Sequence, residues 1–192
     1  PPGSIVLVDD FLDFTYGREH TFFTGGEAGV QHTDMTHCYD EEWQQQIKDK
    51  CEKEGVDFLS TPFDTTAVDF LEQLGVEFYK IASFELVDIP LIEYTAAKGK
   101  PMIISCGMGS VEEIEEALAA CKRQNNEHVV LLKCCSQYPA RYEDMNLSVI
   151  PKMQQMFEKP IGLSDHSFGS LAPVAAVAAG AKVIEKHFTL SR

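Results

Sequence analysis

Residues 160–189, PIGLSDHSFGSLAPVAAVAAGAKVIEKHFT, contain the pattern that predicts the fold of this chain. Two short apolar runs flank a helical segment, in which Pro173 stands in the first turn and Gly180 follows the last turn. Each apolar run leads into a histidine, His166 after the first and His187 after the second. Two parallel strands joined by a helix bring their carboxyl ends to one edge of a sheet. We therefore expect both histidines at the edge where α/β enzymes carry their active sites.

The composition is that of a globular protein with a sizeable core. The chain has 192 residues, of which 44% are hydrophobic, and we expect a single domain over residues 1–192. A net charge of −14 opposes binding to nucleic acid or to an anionic membrane surface. The sequence has no apolar run of transmembrane length, and PPGSIVLVDD has no basic flank of a signal peptide, so we expect a cytoplasmic protein. The six cysteines form no CxxC pair and are predicted to be reduced thiols, mostly in the core.

Strand and helix patterns alternate along most of the chain, which favours a parallel sheet covered by helices. The predicted strands are 5–8, 58–59, 78–82, 102–104, 129–132, 161–163 and 183–184. The first predicted helix runs from Asp40 to Gly55 with Trp43, Ile47 and Cys51 facing inward, and others are predicted over 65–74, ended by Gly75, and over 89–98. The helix from Ser110 begins with a capping box of Ser110 and Glu113 and turns Val111, Ile114, Leu118 and Cys121 inward. The last is predicted over 145–157, with a break or restart at Pro151. Residues 13–37 show neither helical nor strand periodicity. They predict either a long loop that covers a ligand site or a loop at the periphery of the fold.

Two architectures fit this alternation, an open doubly wound sheet and a closed (β/α)8 barrel. The chain has neither a GxGxxG nor a GxxxxGK[ST] turn, which an open nucleotide-binding sheet would normally show. A barrel predicts polar residues at the carboxyl end of nearly every strand. Such residues are present: Thr61, Lys80, Ser83, Ser105, Ser136, Tyr138, Ser164, His166, Glu185 and His187. We predict a TIM barrel that is incomplete in this chain, because seven strands are recognised instead of eight.

The types of residue at these strand ends indicate two kinds of binding site. His166 and His187, with acids nearby, could hold a divalent ion such as Mn²⁺ with open coordination positions, or could be polar residues of the rim without a ligand. Lys80 lies in an apolar strand, where an ammonium group needs an anion. With the hydroxyl groups of Thr61, Ser83, Ser105 and Ser164, it could form a cup for phosphate or carboxylate. The alternative is a lysine that merely extends to the rim.

Six short motifs, spread over most of the chain, resemble those of the sialic acid synthase family. They are FLSTPFD (58–64), YKIAS (79–83), KPMIISCGM (100–108), YPA (138–140), GLSDHS (162–167) and EKHFTL (185–190). They follow the family's order and spacing from about Asp40 to Arg192. Within the family, the stretches TAVDFLEQLGV, KIASFELVDIPLIEY and KCCSQYPARYEDMNL, and Phe84 in particular, are more similar to the pseudaminic acid branch than to the N-acetylneuraminate branch.

The resemblance implies an activity and a role for each strand-end residue. The family condenses phosphoenolpyruvate with an N-acetylated amino sugar; the pseudaminic branch uses 2,4-diacetamido-2,4,6-trideoxy-L-altrose and the near alternative uses N-acetylmannosamine. His166 and His187 match ligands of a divalent metal, Mn²⁺, Mg²⁺ or Co²⁺, and His187 is also assigned to catalysis. Lys80, Thr61, Ser83, Ser105 and Ser164 match groups that hold phosphoenolpyruvate. Ser136 is expected to bind substrate and falls where the neuraminate branch has an asparagine. Glu85 matches an acid near the reacting carbon, Tyr138 a sugar contact, and Glu185 lies beside the metal. A homodimer is expected for the full-length protein.

The chain also departs from the family pattern. The opening strand with its Glu and Asn-His pair is absent, and Cys106 stands where threonine is usual. The chain stops after the motif of the eighth strand, so the last barrel helix and the antifreeze-like domain of the family are missing. We therefore expect a fragment of a longer protein. A metal-dependent aldolase or isomerase barrel, and an inactive fragment that serves as an anion-binding scaffold, remain alternatives.

Overall fold

A computed structural model of the chain describes residues 5–7 and 41–187, with side chains from residue 45 onward. The predicted loop at 13–37 lies outside the described residues. The chain forms two compact units, Pro1–Phe58 and Leu59–Arg192. No helix within the described ranges is long and apolar enough to cross a bilayer.

The first unit contains the predicted early strand and the first helix. Strand β1 is Ile5–Leu7 and helix α1 is Glu41–Glu54. Cys51, on the predicted inward face of α1, is 5% exposed. Gly55 has a φ of 69°, and its amide donates to the carbonyl of Glu52, so it ends the helix where the sequence predicts.

The second unit is built on five parallel strands in chain order. They are β3 (Tyr79–Ile81), β4 (Met102–Ser105), β5 (Val129–Cys134), β6 (Ile161–Asp165) and β7 (Ile184–Lys186), with the order β3-β4-β5-β6-β7. Strand β2 (Phe58–Ser60) precedes them in the chain and is not part of this sheet. Parallel strands that follow one another in space as in sequence are the arrangement of an incomplete (β/α)8 barrel, as predicted.

Five helices accompany these strands: α2 (Thr65–Leu74), α3 (Ile89–Ala96), α4 (Val111–Arg123), α5 (Val149–Phe157) and α6 (Leu171–Ala178). Strands β3 to β6 are mostly buried from both faces, as in sheets with helical crossovers, whereas β7 is partly exposed. The side chains of Tyr79, Ile81, Met102, Ile104, Leu131 and Ile161 are all completely buried. The core therefore lies along the sheet and leaves only the strand ends available for a site.

Local signals in the sequence fix the ends of these helices. Asp64 accepts the amide of Ala67 at the start of α2, and Gly75 ends that helix with a φ of 71°. Ser110 and Glu113 form the predicted capping box at the start of α4. The predicted inward position of Val111 is wrong, because this residue opens the helix and is 40% exposed.

Two helices are shorter than the sequence pattern predicts. Helix α3 ends at Ala96 rather than at residue 98. The helix predicted over 145–157 begins only at Val149, after a short 3-10 helix at Tyr142–Asp144. Pro151 then stands in the first turn, where its missing N–H removes no helical hydrogen bond. The proline therefore marks a restart of the helix.

Candidate active site

The carboxyl edge of the five-stranded sheet brings most of the predicted site residues together. The register pairs Ser164 with Glu185 and Asp165 with Lys186 across β6 and β7. His166 and His187 follow these strands directly. Side chains on neighbouring parallel strands are thus placed side by side, as the sequence predicts.

A buried ion pair lies at the centre of this edge. The Nζ atom of Lys80 is 2.7 Å from Oε2 of Glu185, and the Lys80 side chain is 6% exposed. Ser164 donates a hydrogen bond of 2.6 Å from Oγ to Oε1 of the same carboxylate. Burial would raise the pKa of Glu185, but the charge of Lys80 and the two hydrogen bonds outweigh it and lower that pKa. The anion that Lys80 requires is therefore supplied by the protein in this structure.

The two histidines lie beside this ion pair and face one another. Their ring centroids are 5.0 Å apart, with the planes tilted by 50°. Tyr138 stacks on His166 at 4.2 Å and on His187 at 5.7 Å. Nδ1 of His166 lies 2.9 Å from the carbonyl oxygen of Cys135. A carbonyl oxygen only accepts, so Nδ1 is the protonated nitrogen, and a neutral His166 ring carries its lone pair on Nε2.

The environment acts in opposite directions on the two imidazoles. Burial lowers the pKa of His166, but the hydrogen bonds to the Cys134 thiol and the Cys135 carbonyl outweigh it and raise that pKa. For His187, burial of the ring is the largest cause that lowers the pKa, and the charge of His166 lowers it further. Glu185 partly opposes this lowering. A lowered pKa favours the neutral imidazole, which is the form that binds a metal.

A second group of polar atoms converges where β4 and β5 end. The amide of Gly107 donates to Oγ of Ser83 over 3.1 Å. A Cβ atom on Gly107 would lie 2.5 Å from Oγ of Ser136, 2.8 Å from Oγ of Ser83 and 3.1 Å from Sγ of Cys134. Only glycine leaves room for these groups to approach one another.

Sequence reasoning missed both Gly107 and Cys134. Gly107, two residues after β4, was the available signal for close backbone approach. Cys134 is predicted only as a core thiol. It is 3% exposed, and its Sγ lies 3.9 Å from Nδ1 of His166. Burial raises the pKa of this thiol, but the hydrogen bonds from His166 and Ser83 outweigh it, and the net pKa is lowered.

The other predicted residues are placed as follows. Ser105 ends β4, is 2% exposed, and its Oγ has no hydrogen-bond partner within the described ranges. Glu85 lies in a 3-10 helix at Phe84–Val87, directly after Ser83. Thr61 is 7% exposed after β2, and β2 is outside the five-stranded sheet. The structure thus joins the ion pair, the histidines, Tyr138, Ser83 and Ser136 through side-chain contacts, whereas the roles of Thr61, Ser105 and Glu85 stay predictions.

The histidine pair offers nitrogen ligands to a divalent metal. Over residues 41–187, no group of three or more histidine, cysteine or acidic side chains is arranged to hold an ion. His166 and His187 could supply two nitrogen ligands and leave the other positions to water or substrate oxygens. The anchored Nδ1 of His166 is the outer-shell hydrogen bond that orients a ligating imidazole. The residues fit a metal with an open coordination sphere.

Several known proteins are similar to this chain in sequence or in fold. Pseudaminic acid synthase of Helicobacter pylori is 43% identical over 151 residues, which cover 79% of this chain and 44% of that protein. N,N'-diacetyllegionaminic acid synthase of Legionella pneumophila is 42% identical over 142 residues, covering 72% and 40% respectively. The crystal structure of N-acetylneuraminic acid synthetase from Leptospira borgpetersenii matches with a TM-score of 0.77 and 39% identity, covering 80% of this chain and 53% of that chain.

These similarities confirm the resemblance drawn from the six motifs. This chain spans about half the length of the relatives that it matches. The sequence profile of the NeuB family matches residues 13–192. The chain therefore belongs to the NeuB family.

Proposed function

We propose that this chain carries the active site of a nonulosonic acid synthase, which joins phosphoenolpyruvate to an N-acetylated amino sugar. The observation that supports this most is the common edge of the sheet shared by the Lys80–Glu185 ion pair and the two histidines. A phosphate site and a metal site side by side are what this condensation requires. Proteins similar to this chain are named for the same class of product.

Lys80 and the hydroxyl groups near it are proposed to hold phosphoenolpyruvate. Lys80 is held in a nearly dry site, where a charge-assisted bond to a phosphate or carboxylate is strong. The buried hydroxyl of Ser105 has no partner in the described part of the chain and is available to donate to such a group. The hydroxyl groups of Ser83 and Ser136, which lie close together beside Gly107, add further donors. Thr61 and Ser164 complete the proposed set.

Glu185 is proposed to release Lys80 when the substrate binds. The substrate anion would replace the carboxylate as the partner of the ammonium group. Exchange of one anion for another leaves Lys80 paired throughout, so the ammonium group is never left as a bare buried charge. Lys80 then neutralises and orients the phosphate.

The site residues then act on the two reacting carbons. A divalent ion bound at His166 and His187, Mn²⁺ in the first instance and Mg²⁺ or Co²⁺ as alternatives, would supply Lewis-acid polarisation of the sugar aldehyde. The enol carbon of phosphoenolpyruvate forms a bond to the aldehyde carbon, and positive charge develops at C2. Glu85 is proposed to stabilise this charge and to accept a proton from the water that adds to C2. The C2–O bond then breaks, and phosphate leaves.

We propose the pseudaminic branch as the finer assignment, on the strength of the stretch that contains Phe84. Phe84 is 55% exposed beside Ser83 and Glu85, where a sugar could contact it. The substrate would be 2,4-diacetamido-2,4,6-trideoxy-L-altrose, with N-acetylmannosamine as the alternative. Tyr138, 52% exposed and stacked on both histidines, is placed to contact the sugar. A cytoplasmic homodimer and a single catalytic domain over 1–192 stay predictions.

The test offers both sugars to the full-length protein with phosphoenolpyruvate and Mn²⁺. We expect phosphate release that requires phosphoenolpyruvate, and a product with the mass of pseudaminic acid. A product from N-acetylmannosamine alone would replace the pseudaminic assignment with the neuraminate one. Aldol cleavage or isomerisation without phosphate release would contradict the synthase. If the protein binds Mn²⁺ and phosphoenolpyruvate in calorimetry but neither sugar reacts, the scaffold reading is favoured.

A further inference from the structure

A second ion pair lies directly behind the two histidines. Asp165 and Lys186 are partners in the register of β6 and β7, one residue before His166 and one residue before His187. Asp165 is completely buried, while the side chain of Lys186 is 28% exposed. The Nζ of Lys186 donates to Oδ2 of Asp165. This pair has no role in the condensation proposed above.

The alternation of side chains places this pair and the site groups on different faces of the strands. Successive residues of a strand point to opposite faces. Ser164 and Glu185 bond each other on the face that holds Lys80. Asp165 and Lys186, the next residues along each strand, bond each other on the opposite face. The carboxyl ends of β6 and β7 are therefore tied together twice, once from each side.

The outer tie also holds the backbone around His166. The amide of Ser167 donates to Oδ1 of Asp165 over 2.9 Å. Lys186 donates to the carbonyl oxygen of Ser167 over 2.7 Å. The backbone carbonyl of His166 accepts the amide of Ala140 over 3.0 Å. The histidine is thus held by fixed contacts on both sides of its own residue.

The same contacts link the two histidines to each other. Lys186, which immediately precedes His187, reaches across to the two residues that flank His166. Any shift of β7 along β6 would break this bond and would change the separation of the two rings, now 5.0 Å. A metal site tolerates little error in the position of its ligands.

We propose that Asp165 and Lys186 are positioning residues that set the separation of His166 and His187 and thereby the affinity for the divalent metal. This inference rests on the proposed function, because it requires that the histidines bind a metal. In this role neither side chain would contact the ion or the substrates. Outer-shell partners of this kind typically change metal affinity by about 10- to 100-fold when they are removed.

The experiment uses the full-length protein and the double variant Asp165→Asn/Lys186→Gln, which removes both charges so that no buried charge is left unpaired. Mn²⁺ binding is measured by calorimetry and by the electron paramagnetic resonance of the bound ion, and phosphoenolpyruvate binding is measured without metal. We expect Mn²⁺ affinity to fall by about tenfold or more and the spectrum to broaden. Phosphoenolpyruvate affinity is expected to change by less than about twofold, because Lys80 keeps its contacts.

The matched control is Asp69→Asn/Lys98→Gln. Lys98, two residues after α3, forms an ion pair of 2.6 Å with Asp69 of α2. The Lys98 side chain is 22% exposed, close to the 28% of Lys186, and the Asp69 side chain is 48% exposed. We expect both affinities to stay unchanged in this control. Lys186→Arg, which retains the cation and its donors, should keep most of the Mn²⁺ affinity. Loss of affinity in both double variants alike would assign the effect to general stability and would overturn the inference.

The outcomes separate this inference from the proposed function. If the unaltered protein binds Mn²⁺ and the Asp165/Lys186 double variant binds it equally well, the positioning role is wrong and the synthase proposal stands. If the unaltered protein binds no divalent ion, both are wrong. If circular dichroism shows that the double variant does not fold, Asp165→Glu replaces it, because this change keeps the charge and displaces the carboxylate by one methylene. Unchanged Mn²⁺ affinity in Asp165→Glu would then overturn the inference.

Discussion

The two edges of the parallel sheet use buried polar groups in opposite ways. At the amino edge, Asn126 is 2% exposed, and its Nδ2 donates to the carbonyl oxygens of Ala96 and Lys100. Its Oδ1 accepts the amide of His128. At the carboxyl edge, the buried hydroxyl of Ser105 has no partner in the described part of the chain. The amino edge satisfies the buried amide of Asn126 within the protein, whereas the carboxyl edge leaves the buried hydroxyl of Ser105 available to a ligand.

This difference indicates which edge contributes to function and which edge contributes to stability. A buried polar group with all its bonds made inside the protein holds elements together. A buried donor without a partner costs free energy, and so does a buried cation whose anion can be exchanged. Both are typical of a binding site. The comparison therefore predicts that variants at the carboxyl edge impair binding and turnover, and that variants at the amino edge impair stability alone.

The largest effect is expected for His187→Ala at the carboxyl edge. Loss of one proposed metal ligand removes several kcal/mol of Lewis-acid stabilisation, so we expect turnover of the full-length enzyme to fall about a thousandfold. The check is steady-state phosphate release together with Mn²⁺ calorimetry. His128→Ala is the matched control, because His128 lies at the amino edge and is exposed. Equal kinetics in the two variants would remove His187 from the site.

The next effect is expected for Lys80→Met, which removes the buried cation. We expect the affinity for phosphoenolpyruvate to fall by about two orders of magnitude or more, because truncating one partner of a buried charge pair across a binding interface costs about 2–5 kcal/mol. Isothermal calorimetry measures the affinity directly. The double variant Lys80→Met/Glu185→Gln should restore thermal stability without restoring binding.

Lys98→Met provides the control for removal of a lysine from an ion pair. Lys98 pairs with Asp69 away from the carboxyl edge, and an exposed pair contributes about 0–1 kcal/mol. We expect phosphoenolpyruvate affinity to be unchanged. If Lys98→Met weakened binding as much as Lys80→Met does, the position of Lys80 in the site would lose its support.

A smaller effect is expected for Gly107→Ala. The added Cβ would lie 2.5 Å from Oγ of Ser136 and 2.8 Å from Oγ of Ser83, so the two hydroxyl groups must move apart. We expect the KM for phosphoenolpyruvate to rise about tenfold, because small misplacements of binding groups are costly. Adding Ser136→Ala removes the closest contact and should recover part of the thermal stability. An unchanged KM would exclude the hydroxyl groups of Ser83 and Ser136 from the substrate site.

The smallest effect on function is expected for Asn126→Ala at the amino edge. The substitution leaves two carbonyl oxygens and one amide without their side-chain partner, so we expect the free energy of unfolding to fall by about 1–3 kcal/mol. Affinities for Mn²⁺ and phosphoenolpyruvate should not change. Chemical denaturation and calorimetry test both statements, with the exposed Lys122→Ala as control. Weakened substrate binding in Asn126→Ala would break the contrast between the two edges.

Local patterns were sufficient to predict the elements of the fold. Short apolar runs predicted every strand from β2 to β7, and Gly55, Gly75 and the capping box of Ser110 predicted helix ends. These signals are local, because a cap or a left-handed glycine acts within a few residues. The exposed Val111 and the late start of α5 show where periodicity fails, since it does not specify which turn of a helix meets the sheet.

The order of residues along this chain was enough to specify parallel strands, their helices and the residue types at each strand end, since those features depend on periodicity and on near neighbours. Contacts between residues far apart in the chain arose only through folding. Glu185 occupies the place expected for a substrate anion beside Lys80, Gly107 admits Ser83 and Ser136, and Lys186 reaches Asp165 behind the histidines. Such pairings depend on strand register and on distances of a few ångströms, which no local pattern encodes.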